Sequence, residues 1–287
     1  MISDITLGQF FPGNSLIHKL DARMKIILAV LYISAIFVAN NPVSFILLIA
    51  FTLTLVLISS ISLRTILKGI KPIVFILIFT SLINLFFASN VTSQEPIFEF
   101  YFISIYLDGI YRAVFMSIRV ILLIIGTSVL LTYTTSPIAL TDGIEALLSP
   151  LKVIGVPVHS FAMMMSIALR FIPTLIEETE KIMNAQKSRG ADFSSGGLVK
   201  RAKALIPILV PLFVSAFKRA DELAVAMECR CYRGEKNRTK LVKLTYRVFD
   251  FVMLFVFVLL LCTMIVGSVL PYTFELFGWL YYIFYKF

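Results

Sequence analysis

Apolar residues along this chain fall into two patterns. Five runs are continuous enough to cross hydrocarbon as helices, which takes about 20 residues: 24–39, 43–61, 73–89, 110–133 and 251–270. The first is short, and Asn40-Asn41-Pro42 make a tight, uncharged turn after it. Between 134 and 247 the runs give way to helical periodicity. Residues 142–153 read as a short helix closed by Gly155 and Pro157, and a long helix runs from Pro157 to Arg189. Its stripe is Met165, Leu169, Ile172, Ile176, Thr179 and Met183. After a break at 191–197, a second long helix carries Val210, Phe213, Phe217, Ala220, Ala224, Met227 and Cys231. Both stripes alternate threes and fours, as in helices that pack along one another at a shallow angle, and Ala220 and Ala224 allow close approach. Pro173, Pro207 and Pro211 predict bends or interruptions. Residues 158–169 and 205–217 are apolar but short, and each continues into charged helix, which suits the inner membrane interface. Two added spans there leave the termini unchanged, so topology alone leaves seven spans open. Residues 97–106 are rich in aromatic and β-branched side chains, and an outer hairpin or an interfacial segment both fit.

Composition turns these runs into a class. Hydrophobic residues make up 59% of the 287, charged residues 15%, and mean hydropathy is +0.93. A soluble domain carries about a quarter charged residues, so the expected fold is an all-α integral membrane protein. It has about five transmembrane helices plus a cytoplasmic-facing helical coupling domain. The expected organisation is a four-span membrane domain at 1–133, coupling helices at 134–247, and a last span with an outer C-terminus at 248–287. The first 25 residues are mixed, and no cleavable signal peptide is evident. Net charge is +9, and 17 of the 26 Lys and Arg lie between Lys152 and Arg247. In a membrane protein this marks the cytoplasmic side and anionic headgroups, not nucleic acid. Lys19, Arg23 and Lys25 precede the first span; Arg64, Lys68 and Lys71 join the second and third. The next loop carries Glu95, Glu99 and Asp108. The N-terminus is therefore expected in the cytoplasm and the C-terminus outside, where Trp279, Tyr281 and Tyr282 fit an aromatic belt.

Candidate chemistry is sparse. There is no Gly-x-x-x-x-Gly-Lys-[Ser/Thr] phosphate loop, and His18 and His159 have no supporting Ser or Cys motif, so neither an ATP site nor a hydrolytic triad is expected. The chain reads as a non-enzyme without a cofactor. Cys229 and Cys231 lack further ligands nearby for a metal, and with Cys262 they make no disulfide framework. Asp108, Arg112 and Arg119 share one face of the fourth span. Asp108 and Arg112 pair near the outer surface, while Arg119 sits deeper and needs a partner. No span interior carries Asp or Glu, which argues against a proton-coupled carrier.

The two long helices end alike. One finishes Ala185-Gln-Lys-Ser188-Arg189-Gly190, the other Ala226-Met-Glu-Cys229-Arg230-Cys231, with Gly190 and Gly234 as the stopping glycines. A cation in a last turn favours the negative end of the helix dipole by about 0.3–1 kcal/mol. That accounts for an arginine, but not for a repeated Ala-x-x-x-Arg. A sharper reading makes each tip a docking element, with arginine donors for carboxylates or carbonyls and a small alanine for close approach. Met163, Met164 and Met165 are core filler by default. They also suit a surface that accepts differently shaped partners, and their flanks Ala162, Ser166 and Ala168 are small.

Together these residues resemble the transmembrane T component of energy-coupling factor (ECF) transporters, a branch of ABC importers for vitamins and metal ions. Pro12-Gly13-Asn14-Ser15 and His18-Lys19-Leu20-Asp21-Ala22-Arg23 are similar to the family's Pro-Gly-x-Ser and His-Arg-Leu-Asp-Pro-Arg, with Ala22 in place of proline. Ser149-Pro150-Leu151, the 168–173 run Ala-Leu-Arg-Phe-Ile-Pro, and the Ala-Gln-x-x-Arg-Gly run at 185–190 resemble its pattern further on. Ser188-Arg189-Gly190 matches the first coupling motif. Cys229-Arg230-Cys231 occupies the second, where alanine and glycine are commoner neighbours. The resemblance implies two partner ABC ATPases that bind ATP and one or several membrane S components that capture substrate. It implies Ala185, Ser188, Arg189, Gly190, Ala226, Cys229, Arg230 and Cys231 as ATPase-coupling residues, and a multi-pass place in the bacterial plasma membrane. The segment 95–106 and the lack of a fused partner look like the shared-module type. Two rivals remain: an ordinary ABC permease, with Glu145-Ala146 and Gly155 imitating its coupling loop, and a stand-alone secondary carrier.

Overall fold

The computed structural model describes residues 10–87, 98–100, 103–105, 107–191, 193, 197–232, 234 and 244–269. Among them, five helices are long and apolar enough to cross a membrane: Pro42–Ser59, Leu63–Leu85, Gly109–Tyr133, Val158–Ser188 and Val248–Ser268. The count matches the sequence expectation, but the set does not. The first helix, α1 (Ala22–Val38), has 17 residues, about 25 Å of helix, and falls just short. Val158–Ser188 enters because the helix that starts at Val158 continues unbroken through Pro173 for 31 residues and holds an 18-residue window apolar enough to cross. The chain divides into two units, one of residues 10–136 with 244 onward, the other of 137–243.

The first unit holds α1, α2 (Pro42–Ser59), α3 (Leu63–Ile70), α4 (Val74–Phe87), α5 (Leu107–Thr127) and α9 (Val248–Val269). A π-helical stretch, Ser128–Tyr133, ends α5. Between α4 and α5, Phe98–Phe100 (β1) and Ile103–Ile105 (β2) pair antiparallel, with Glu99 opposite Ser104. This is the hairpin alternative for the aromatic segment. The buried core joins Leu28, Tyr32 and Ile36 of α1, Leu48 and Leu55 of α2, Leu122 of α5 and Phe257 and Met264 of α9.

Polar groups tie these helices together where hydrocarbon offers no substitute. Asp21 caps α1, accepting from the Arg23 backbone N–H at 2.9 Å, while the buried Asp250 accepts from the Asp21 N–H at 3.1 Å. Ala22 thus holds the first helical position, where proline is favoured for its fixed φ and alanine by propensity. Arg23 lies over the Tyr246 ring, 3.9 Å from its centroid.

Arg119 finds its partner in a backbone carbonyl. Its Nη2 donates to Ala39 O, the cap of α1, at 2.6 Å, and its guanidinium lies 5.5 Å from the Phe45 ring centroid. Lys25, only 2% exposed, donates in turn from Nζ to Thr134 O, just past the π-helical end of α5, at 2.7 Å. Each helix therefore supplies a cation to the carbonyl end of the other, where orphan acceptors and the dipole favour positive charge. The side chain of Asp108, read as pairing with Arg112, lies outside the described residues, as do Trp279, Tyr281 and Tyr282.

α1 and α5 approach closely at Gly126. A Cβ there would stand 2.1 Å from the ring of Tyr32. That ring is fully buried, with its hydroxyl 2.7 Å from Thr52 Oγ1 and 3.0 Å from Leu122 O. Gly126→Ala is expected to destabilise by about 1–3 kcal/mol or more, as overpacking does where nothing can yield. Thermal unfolding of the purified chain in detergent measures it, and an unchanged midpoint would refute the close packing.

The second unit begins with α6 (Pro137–Leu148), which starts five residues before the expected 142, and a 3₁₀ turn, Ser149–Ile154. Gly155, at φ 87°, then leads into α7 (Val158–Ser188), and α8 (Leu198–Cys229) follows. Neither Pro173 nor Pro207 and Pro211 interrupts its helix. Each proline forfeits one backbone bond in a helix of about thirty residues. Across α6 and α7, His159 Nδ1 meets Glu145 Oε1 at 2.9 Å, and Glu145 is buried.

Apart from Met227, the α8 stripe read from the sequence faces the other way. Phe213 and Phe217 are 61% and 69% exposed, and Val210, Ala220 and Ala224 are exposed with them. The inward face carries Ile208, Leu212, Ser215, Ala216, Arg219, Leu223 and Met227. Its two polar members hide it from a hydrophobicity pattern. On α7, Leu169, Ile172, Ile176, Thr179 and Met183 are half-buried as the stripe predicts, whereas Met165 is exposed.

Candidate functional site: two arginine-capped helix ends

α7 and α8 close with the same backbone construction. Arg189 is the C-cap of α7 at φ −86°, ψ 6°, and Arg230 the C-cap of α8 at φ −89°, ψ 15°. After each, the chain turns into the left-handed region, with Gly190 at φ 84° and Cys231 at φ 56°. In the first tip the Gly190 N–H donates to Lys187 O at 2.9 Å and the Ala191 N–H to Gln186 O at 3.0 Å. In the second, the Cys231 N–H donates to Glu228 O at 2.8 Å and the Tyr232 N–H to Met227 O at 3.0 Å. Both are Schellman caps, a paired 6→1 and 5→2 closure that satisfies helix-end carbonyls.

The stop of α8 is therefore Cys231, three residues before the expected Gly234. Gly234, at φ 79°, belongs to the turn that follows. Cysteine gives no hint of a left-handed conformation, which costs an L-residue about 1–2 kcal/mol. Its neighbour in the motif, Arg230, is placed by that turn. Cys231→Gly should therefore preserve the cap and leave stability within about 1 kcal/mol, relief of strain offsetting glycine's entropy. Cys231→Val should cost about 1–3 kcal/mol, since a β-branched residue fits this region worst. Thermal unfolding of both variants tests the assignment, and equal midpoints would remove it.

Every residue singled out at the tips is exposed: Ala185, Ser188, Arg189 and Gly190 on the first, Ala226, Cys229, Arg230 and Cys231 on the second. Ser188 Oγ donates back to Asn184 O at 3.1 Å. Neither guanidinium meets a hydrogen-bond or ion-pair partner among the described residues. Both are cations on pre-turned helix ends, with no guanidinium donor engaged among the described residues. Each alanine lies one helical turn before its arginine, leaving open surface beside it.

The methionine run divides. Met164 and Met165 are 57% and 41% exposed, and Met163 is half-buried. Phe161, on the same first turns of α7, is exposed as well.

Two helices ending in matched, exposed cationic caps thus stand in a chain with other helices long and apolar enough to cross a membrane. Comparison with known proteins supplies the class. The family described as CbiQ, cobalt transport protein, matches residues 13–241. An energy-coupling factor transporter transmembrane protein, EcfT, of Clostridium kluyveri is 50% identical over 269 residues, covering 94% of this chain and 98% of that one. Its counterpart in Ruminiclostridium cellulolyticum is 56% identical over 250 residues (87% and 92% covered), and that of Bacillus subtilis 49% identical over 247 (86% and 91%). The chain belongs to this CbiQ family of ECF-transporter T components.

Proposed function

We propose that this chain is the energy-coupling membrane subunit of an ECF-type importer for vitamins or other micronutrients. The two exposed, identically built arginine caps carry the reading. Two ABC-type ATPases, or a homodimer, bind and hydrolyse ATP and each receive one tip, and the chain itself is non-catalytic. One or several membrane S components capture the substrate and lie against the exposed apolar faces of α7 and α8, including Met164 and Met165. The shared-module type, in which one T component serves several S components, fits the separate hairpin-bearing segment.

Two observations weigh against the rivals. Glu145, which could imitate a permease coupling loop, is buried against His159 and is not free to dock. Lys25 and Arg119 each donate to a helix-end carbonyl, a structural use of these cations that weighs against an ion path through them. Purifying the tagged chain and identifying its stoichiometric companions tests the proposal. Two ABC ATPase chains and a small membrane protein are expected, and purification without any ATPase would overturn it.

The proposed location is the bacterial plasma membrane. The N-terminus and the 137–243 unit face the cytoplasm and the C-terminus faces outside, as the positions of Lys and Arg favour. Cys229 and Cys231 are exposed, so an impermeant maleimide should label them in inside-out vesicles only. Labelling in right-side-out vesicles would reverse the orientation.

A further inference from the structure

Among the described residues, one polar junction joins α7 and α8, and it stands equally far in sequence from both arginine tips. Glu178 of α7 accepts hydrogen bonds from Ser215 Oγ and from Arg219 Nη2, the latter at 2.8 Å. Ser215 and Arg219 lie four residues apart on α8, so they stand one turn above the other on one helix face. A single carboxylate is thus gripped by two successive turns of its neighbour. From Glu178 to Arg189 is 11 residues, and from Arg219 to Arg230 is also 11. At 1.5 Å per residue each arm is about 16 Å long, whatever the angle between the helices. Eleven residues also return to within about 20° of the starting face. On each helix the arginine therefore leaves from nearly the side that carries the junction residue.

Among the described residues, no other side-chain hydrogen bond or ion pair joins the two inward faces. Ile176, Leu212, Ala216 and Leu223 are apolar or small, and apolar contact is non-directional. A one-turn slip along such faces would keep most of the burial but offset one tip from the other by about 5 Å. A bidentate-like grip on two turns resists it.

We infer that Glu178 is a positioning residue. Its bonds to Ser215 and Arg219 fix α7 against α8, so that Arg189 and Arg230 reach the two ATPases as a matched pair. The inference rests on the coupling reading of the tips and deepens it. Both side chains of the ion pair are part-exposed, so the pair adds little to overall stability. Its effect falls on register.

The test uses the whole complex, with ATPases and an S component, reconstituted in vesicles, and reads substrate taken up per ATP hydrolysed. Glu178→Ala and Arg219→Ala should each retain both ATPases at wild-type yield. Each should lose uptake per ATP by at least about fivefold, the lower end of site-to-site coupling effects. Reversing the pair, Glu178→Arg with Arg219→Glu, should recover most of it. A Glu178→Ala complex with unchanged uptake per ATP would overturn the inference, as would a defect that the reversed pair fails to repair. Arg189→Ala with Arg230→Ala is run in parallel. If that double variant transports normally, the coupling reading itself fails. If it is inactive while Glu178→Ala is normal, only the register inference falls.

Discussion

A chain carrying both Arg189→Ala and Arg230→Ala is expected to insert and fold normally but to lose ATPase docking or ATP-driven uptake. Neither guanidinium has a partner among the described residues, so removing both leaves no internal group unsatisfied. The caps themselves are made by backbone bonds that alanine retains. Stability of the isolated chain should therefore move by no more than the dipole contribution, about 1 kcal/mol or less at an exposed helix end. In the proposed assembly each arginine would be a buried, hydrogen-bonded charge. Losing one at an interface costs about 2–5 kcal/mol, partly because its partner is stranded. The two readings thus differ several-fold in energy and can be separated by comparing the unfolding midpoint with ATPase co-purification. Single variants should be milder, since the remaining tip holds the complex. Arg→Lys should rescue only partly, because lysine lacks the planar donor fork. Normal co-purification and normal uptake by the double alanine variant would refute the docking role and leave the dipole as the whole explanation.

What could be read from the sequence, and what could not, follows from where each acceptor lies. The tips were legible because helix ends are local: an arginine, an alanine one turn before it and, at the first tip, a glycine to turn the chain. At the second tip the arginine stands where the sequence places it, but the stop falls three residues before Gly234, because the left-handed position is filled by Cys231, which carries no signature of that conformation. The partners of Arg119 and Lys25 were illegible for another reason. Both are backbone carbonyls, Ala39 and Thr134, 80 and 109 residues away along the chain. Every residue has a carbonyl, so only the fold reveals which one a helix end leaves open.

The inward face of α8 failed on a similar ground. Ser215 and Arg219 look like solvent-facing residues until Glu178 of α7 is seen to satisfy them. Once a polar pair is cross-bonded, hydrophobicity ceases to tell the packed side from the open one. The outward side, with Phe213 and Phe217, is then an apolar face on the part of the chain richest in basic residues. Water is a poor neighbour for such a face, and a lipid or protein partner is the usual resolution.

That reasoning sets the second large effect. Met164→Asp with Met165→Asp should abolish capture of the S component while leaving both ATPases attached. The two side chains are 57% and 41% exposed, so the free chain has little to lose from their replacement; surface changes usually stay within about 0.5 kcal/mol. In the proposed complex they lie under an apolar partner. There, two carboxylates must be buried without counter-charges, or the partner must stay away. Leaving even one polar group unpaired in an apolar contact costs about 2–7 kcal/mol, and an ionised one more. Losing the methionine contacts alone, as in Met164→Ala with Met165→Ala, removes at most about 1.5–3 kcal/mol per side chain. Methionine's flexible, polarizable chain is also what lets one surface accept several differently shaped partners. The aspartate pair should therefore affect every S component together, and the alanine pair should affect them unequally. Pull-downs from cells expressing two different S components distinguish these patterns. Retention of both at wild-type yield by the aspartate variant would show that this face of α7 lies elsewhere in the assembly.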